Sequence, residues 1–501
     1  MTITGYRSPL PVGDDGFPSQ VRAEWTKFRT VRGWVVGLLT AAAVTVLVSL
    51  LGATGSGRSC RHGCTGPVGP GGEAVVDAFS FVHQPLTGDG SITVRVTSLK
   101  GGTDTGLEPW AKAGLIVKAS TAQGSAYAAV LLTGGHGVRM QWDYVHNKAG
   151  STSPPASPRW LRLTRSGATL TGSESADGAH WTAIGTARLA GLPSTVQVGM
   201  FVTSPDHVET AVHFGGSSSI GGPSSATAGF DQVGVQGQGG PWTGGLVGGG
   251  GGPAARPGSS SFHQAGGTFT ISGSGDIAPA VGGLGTNTVD RSLVGAFAGL
   301  MVMIVLGAMF ITAEYRRGLI RTTLTASPRR GRVLAAKALV LGGISFVAAL
   351  AASALAFWLV GGLRRSKGDY SLPVSTLTEV RVVVGTAGIL AVTAVLALAV
   401  GSIVRRSAGA VTAVVVLTVL PYILAVASVL PAGPAQWLLR VTPAAAFAIQ
   451  QSIPEYPQVS TLYTPANGYF PLAPGLGFGV LCAWTAAALA LAVVLLRRRD
   501  A

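Results

Sequence analysis

Residues Ile311 to Lys337 read ITAEYRRGLIRTTLTASPRRGRVLAAK, and this stretch decides the fold. It joins two apolar runs: Ser292 to Ala313, without a charge, leads in, and Ala338 to Leu363 leads out. Each is long enough to cross a bilayer as a helix, which takes about 20 residues. Between them lie Arg316, Arg317, Arg321, Arg329, Arg330, Arg332 and Lys337, against the single acid Glu314. Loops so rich in cations stay on the cytoplasmic side. Within this one, Gly318 loosens the backbone and Leu319 to Ala326 is predicted as a short helix lying flat under the membrane. Ser327 and Pro328 then supply a cap and first-turn pair for the next helix.

The composition agrees with a membrane protein. The chain has 501 residues, too many for one compact core, with 11% charged residues and a mean hydropathy of +0.43. Its net charge of +15 is concentrated at the ends of apolar runs, which reads as topology and headgroup contact and not as a nucleic-acid face. No lysine directly follows a glycine, so there is no G-x-x-x-x-G-K-[ST] loop to hold nucleotide phosphates. The apolar runs hold almost no charge, so no proton relay, ion site or metal site is expected in them.

The segment EYRRGLIRTTLTASPRRGR resembles the first cytoplasmic loop of actinobacterial ABC transporter permeases of the type-2 exporter class. Glu314, Tyr315, Arg316, Gly318, Arg321, Thr322, Pro328 and Arg330 carry the resemblance. The chain from about Asp290 to the end fits the same family, as does RAEWTKFRTVR near the start. The resemblance implies a coupling helix in this loop that docks on a separate ABC ATPase subunit. That ATPase would be present in two copies and would bind the ATP and Mg. A second permease subunit, identical or similar, would complete the path. The large insert departs from the family's pattern.

In order, residues 1–18 read as disordered and 19–33 as an interfacial amphipathic helix, with Glu24, Trp25, Lys27, Phe28 and Arg29 as its headgroup anchor. Spans are expected at 34–53, 290–313, 338–363, 381–404, 407–431 and 475–496, about six, with both termini cytoplasmic. Arg364, Arg365 and Lys367 then fall outside, in the loop 364–380, against the charge bias. Within 432–474 the apolar QWLLRVTPAAAFAIQQ is too short and Pro-broken to span, so this stretch reads as a re-entrant or hairpin region, while 497–501 form a cytoplasmic tail.

The insert is water-soluble in character. After a spacer at 54–77, residues 78–236 alternate apolar and polar positions over short segments, as in SITVRVT and TVQVGMFVT, which predicts an antiparallel sandwich. FVHQPLTGDGSITVRVTSL, AKAGLIVKAS, RWLRLTRSGATLTGSESADGAHW and ATAGFDQVGV resemble concanavalin A-like (laminin G-like) jelly-roll sandwiches attached to bacterial glycosidases. A Gly-rich linker at 237–261 precedes one more strand segment, 262–289, returning to the membrane. Its strand FTISGSGDI is expected to fold back beside residues 79–82. Trp110, Trp142 and Tyr144 are the candidate contacts for an extracellular glycan, although aromatic residues on sandwiches mostly pack. No carboxylate pair carries a glycosidase motif. Cys60 and Cys64 fit a small disulfide loop if they lie outside the cell; two free thiols is the alternative.

The expected fold class is therefore a polytopic α-helical membrane protein with an inserted all-β ectodomain. The expected function is that of an exporter permease subunit, not itself an enzyme. The alternative is a membrane-anchored glycan-binding or sensor protein, for which six spans are more than is needed.

Overall fold

The computed structural model describes residues 16–54, 66–102, 106–213, 216–248, 261–281, 287–319, 329–367, 369, 371–427, 429–461 and 463–498. Among them, six helices are long and apolar enough to cross a membrane. A short helix α1 (Phe17–Thr30) comes first, and α2 (Arg32–Thr54) is the first span. The others are α3 (Ala296–Arg316), α4 (Arg330–Lys367), α5 (Thr376–Val404), α6 (Ser407–Val426) and α8 (Pro474–Arg498). Between the last two lies α7 (Ala432–Val441), followed by a buried 3-10 turn, Pro443–Gln450.

Small residues let these helices approach. On α2 the buried positions are Ala41, Thr45, Ser49 and Ala53, each four apart and therefore on one face. They meet Gly295 and Gly299: the Gly295 N–H donates to Ser49 Oγ at 3.1 Å, and a Cβ at Gly299 would collide with Thr45. The opposite face exposes Val36, Leu39, Leu47 and Leu51. Apolar outside and small inside is the pattern of helices packed in lipid, where close van der Waals contact drives association. Helix α5 lies at the centre, packed by α3, α4 and α8. Helix α4 has 38 residues. At 1.5 Å per residue it is about 57 Å long, well beyond a hydrocarbon core of about 30 Å.

The insert forms strands β1 (Val75–Asp77), β2 (Phe79–Gly101), β3 (Lys112–Lys118), β4 (Tyr127–Thr133), β5 (Val138–Trp142) and β6 (His146–Ala149). They continue with β7 (Arg159–Ser166), β8 (Thr169–Ser175), β9 (Thr182–Arg188), β10 (Thr195–Thr203), β11 (His207–His213) and β12 (Gly216–Gly222). The last are β13 (Ala226–Gln238), β14 (Thr243–Val247), β15 (Ser261–Ala265), β16 (Thr268–Gly273) and β17 (Ile277–Pro279). Strand β2 organises them. Its first part pairs with β14 and β10, and its later part with β13 and β7. Between the two, Gly88 takes φ 74, where a Cβ would be strained. Two antiparallel layers, β14–β2–β10–β3–β4–β5–β6 and β15–β16–β13–β2–β7–β8–β9, thus share one bent strand and curl nearly into a barrel. Ile92, Val94, Leu115, Val130, Leu161 and Phe230 are among the side chains buried between them.

The returning strand does come back to residues 78–80, where Ser80 Oγ donates to Ser272 O at 2.7 Å and the Ala78 N–H donates to Asp276 O at 2.9 Å, but its ladder partner is another strand. Strand β16 pairs with β13, because Phe269 and Ile271 alternate into the core there. Beyond it, β17 pairs with β1 in the entry segment. This two-stranded ribbon covers a second apolar cluster that includes Phe79, Ile116, Tyr127 and Phe201. Two buried lysines from the ends of β3 hold it: Lys112 Nζ is 2.6 Å from Asp276 Oδ1, and Lys118 Nζ is 2.7 Å from Asp77 Oδ2.

The ribbon's base meets loops of the helical half at the end away from the basic loop. Ala74 is buried with Leu372 and Ile453, and the Leu372 N–H donates to Asn287 O at 3.0 Å. Gln458, between α7 and α8, is 1% exposed and donates to Tyr144 O at 3.3 Å and Val145 O at 3.1 Å. The sandwich therefore rests on the helical half through side chains as well as through its two connections.

Candidate functional site

At the end of the bundle that carries the basic loop, four charges converge from three helices. Lys337 on α4 is fully buried; its Nζ lies 2.8 Å from Glu24 Oε2 of α1 and 2.6 Å from Glu314 Oε1 of α3. Lys27 Nζ adds contacts of 3.0 Å to Glu24 and 3.5 Å to Glu314. Two cations and two carboxylates leave the cluster formally neutral. Burial pulls the Lys27 ammonium down, but its hydrogen bond to Glu24 and the charges of Glu24 and Glu314 hold it above the ordinary lysine value. Aromatic rings wall the cluster. Phe310 lies 5.3 Å from Lys337 Nζ, with Trp34 edge-on at 5.3 Å and Phe28 tilted at 6.1 Å.

The cluster ties α1 to both arms of the basic loop. In α1 the buried residues are Glu24 and Phe28, one helical turn apart, while Trp25 is 49% exposed. Glu24 and Phe28 therefore do not face headgroups as the anchor reading expects; they face the bundle, because the buried ammonium of Lys337 needs a carboxylate. Lys27 divides between the two: half-exposed, it still contacts both acids. Arg29 is exposed. Of the loop residues, Glu314 sits in the cluster and Arg316 is exposed at the end of α3. Gly318 turns the chain at φ 71. Arg321, Thr322, Pro328 and most of the expected helix Leu319 to Ala326 lie outside the described residues. The Arg330 guanidinium donates to Leu496 O, fastening the start of α4 to the end of α8.

Two further observations concern charge. Helix α4 runs past the expected span 338–363 at both ends, so Lys337 and Arg364, which flank that span in the sequence, are buried within the helix. Arg364 is not a free cation outside: its Nη1 donates to Ser292 Oγ at 2.9 Å, and Asp369 and Asp290 act on it through space. A lysine in the run VLAAKALVLGG was the available signal for the inner cluster, since a charge among apolar residues marks a partner.

The three candidate glycan aromatics do not form a platform. Trp110 is 6% exposed and stacks on His136 at 4.0 Å. Tyr144 is 1% exposed, and its hydroxyl donates to Asp77 Oδ2 at 2.7 Å, within the Lys118 pair. Burial and the Asp77 charge push its phenol far above the usual range. Trp142 is half-buried and stacks on His146 at 4.9 Å. Cys60 and Cys64 lie outside the described residues. Among the described residues there is no group of His, Cys, Asp and Glu arranged to hold a metal.

The model of the ABC-2 family transporter proteins matches residues 152–501, from within the β region through the last helix. This chain belongs to that family. It is a multi-pass permease of an ABC transporter, and membership implies an ABC ATPase partner. No curated protein matches the chain. Among solved structures, a functionally unknown protein from Saccharomyces cerevisiae is 15% identical over 31% of this chain and 72% of its own, with a TM-score of 0.18. The GH43 protein BlXynB from Bacillus licheniformis is 15% identical over 23% of this chain and 24% of its own, with a TM-score of 0.17. Scytalido-glutamic peptidase is 10% identical over 40% of this chain and 98% of its own, with a TM-score of 0.22. Similarity at these scores transfers neither fold nor activity to this chain.

Proposed function

We propose that the chain is the membrane-spanning subunit of an ATP-driven exporter, of the type-2 class found in actinobacteria. In this reading two ATPase subunits dock beneath the basic loop, and a second permease subunit completes the path. The termini are cytoplasmic and the sandwich, of the concanavalin A-like kind, stands outside. ATP and Mg belong to the ATPase. The observation that carries the reading is the Lys337 cluster. It braces the entry helix and both arms of the loop into one body, so a push on the loop is delivered to α3 and α4 together. A motor changes the bundle only if it contacts its two states differently, and a braced loop provides that difference.

The test uses Arg321→Glu with Arg329→Glu. Arg329 is exposed, and Arg330 is spared because it is needed on Leu496. Co-purification of the full chain with a co-expressed candidate ATPase is expected to be lost in the double variant, at unchanged thermal midpoint. Undiminished co-purification would overturn the docking role.

A further inference from the structure

A second feature lies at the same end of the bundle, on the other side of α3. Helices α5 and α6 are joined by two residues, Arg405 and Arg406, and beside this joint opens a cavity of about 390 Å³. Tyr315, Arg316, Arg405 and Arg406 line it, and no carboxylate does. Three cations around one cavity without a counter-charge form an anion site in waiting.

The local geometry strengthens this. Arg405 takes a left-handed backbone, φ 59, at which a side chain is disfavoured and asparagine or glycine is cheaper. That conformation brings its guanidinium to 5.3 Å from the Tyr315 ring. Arg405 Nε and Tyr315 Oη are both buried and without a hydrogen-bond partner among the described residues. A buried donor left unpaired is costly, and an anion in the cavity would relieve both. The first turn of α6 borders the cavity, and its cap residue Arg406 makes no side-chain cap bond. The positive end of that helix therefore adds to the same field.

The cavity is not polar all round. Met309 and Ala313 form part of its wall, and Met309 continues to Val305, one turn away on α3; Met309 is 38% and Val305 39% exposed. An apolar track leading from a cationic pocket into the lipid-facing surface fits a ligand with an anionic head and an acyl tail. We propose that this pocket binds the phosphate group of an anionic phospholipid, seated where the helices leave the membrane. A free phosphate shares the head chemistry but has no use for the apolar wall. The inference stands independently of ATPase docking.

The full chain is purified in neutral detergent and given phosphatidylglycerol, phosphatidylcholine or inorganic phosphate as separate probes. Retained ligand is read by native mass spectrometry, and the thermal midpoint in nanodiscs of each lipid is recorded. The wild type is expected to retain phosphatidylglycerol over phosphatidylcholine and to melt higher in it. Arg405→Asn, which suits the left-handed backbone, and Arg406→Gln are each expected to weaken retention roughly tenfold, the scale of one charge-assisted hydrogen bond. Tyr315→Phe gives a smaller loss, and Arg317→Gln, in the same loop but outside the cavity, gives none. Binding of inorganic phosphate with no preference for phosphatidylglycerol would overturn the lipid assignment. Equal retention of both lipids by the wild type, with no binding of phosphate, would overturn the site. Because that arm needs no variant, a variant that fails to fold leaves the answer intact.

Discussion

The two ends of α4 hold buried cations in different ways. Near the loop end, Lys337 is met by two carboxylates at 2.8 and 2.6 Å. Near the other end, Arg364 is met by one hydroxyl at 2.9 Å, its Nε has no hydrogen-bond partner among the described residues, and its acids act at a distance. A charge taken out of water loses several kcal/mol of solvation, which only close, well-directed partners recover. The inner end is thus fixed by short-range ion pairing. The far end, next to the sandwich, is held more weakly, by one directed hydrogen bond to a neutral hydroxyl.

The largest expected effect comes from Lys337→Met, which leaves the carboxylates of Glu24 and Glu314 with only the half-exposed Lys27 as a cation. Thermal unfolding of the full chain should show a loss of about 3–5 kcal/mol, the cost of breaking a buried pair from one side. Adding Glu24→Gln and Glu314→Gln to the same chain should recover most of it. A single variant as stable as the wild type would remove the contrast between the two ends.

Arg364→Gln should cost less, about 1–3 kcal/mol, because it gives up one directed hydrogen bond and only diffuse charge attraction. If its loss equalled that of Lys337→Met, Asp369 and Asp290 would have to be direct partners, and the outer end would be as tightly fixed as the inner.

The smallest effect belongs to an ion pair in open water. His180 Nδ1 lies 2.7 Å from Asp177 Oδ2, with the imidazole 92% exposed. The hydrogen bond and charge of Asp177 raise His180 above its ordinary value, and His180 holds Asp177 well below the carboxylate range. Since the folded chain binds this proton more tightly than the unfolded one, the stabilisation is complete below the unfolded value, about 6.5. It disappears as pH rises through the folded midpoint. An NMR titration should place the His180 midpoint above that reference and return it there in Asp177→Asn, with no measurable change in unfolding. An unshifted midpoint in the wild type would count against the pair.

Much of this was legible along the chain. Span length and period-two alternation are local properties, set by a helix rise of 1.5 Å and by side chains on alternate faces of a strand. The six apolar helices and the antiparallel insert therefore follow from composition read in windows. The aromatic residues were misread because a window shows that Trp110 and Tyr144 are large and amphipathic, not that His136 and Asp77 occupy their faces. The same holds for FTISGSGDI, whose alternation says that it is a strand but not that β13 is its neighbour.

By itself the sequence determined that this chain crosses a membrane several times, carries a β insert, and belongs with ABC-2 family transporters, whose model matches residues 152–501. Only the tertiary structure decided which charges meet. Glu24 and Lys337 are 313 residues apart, and Gln458 and Tyr144 are 314 apart. Such partners are selected when folding removes them from water together, a condition that no stretch of sequence expresses alone.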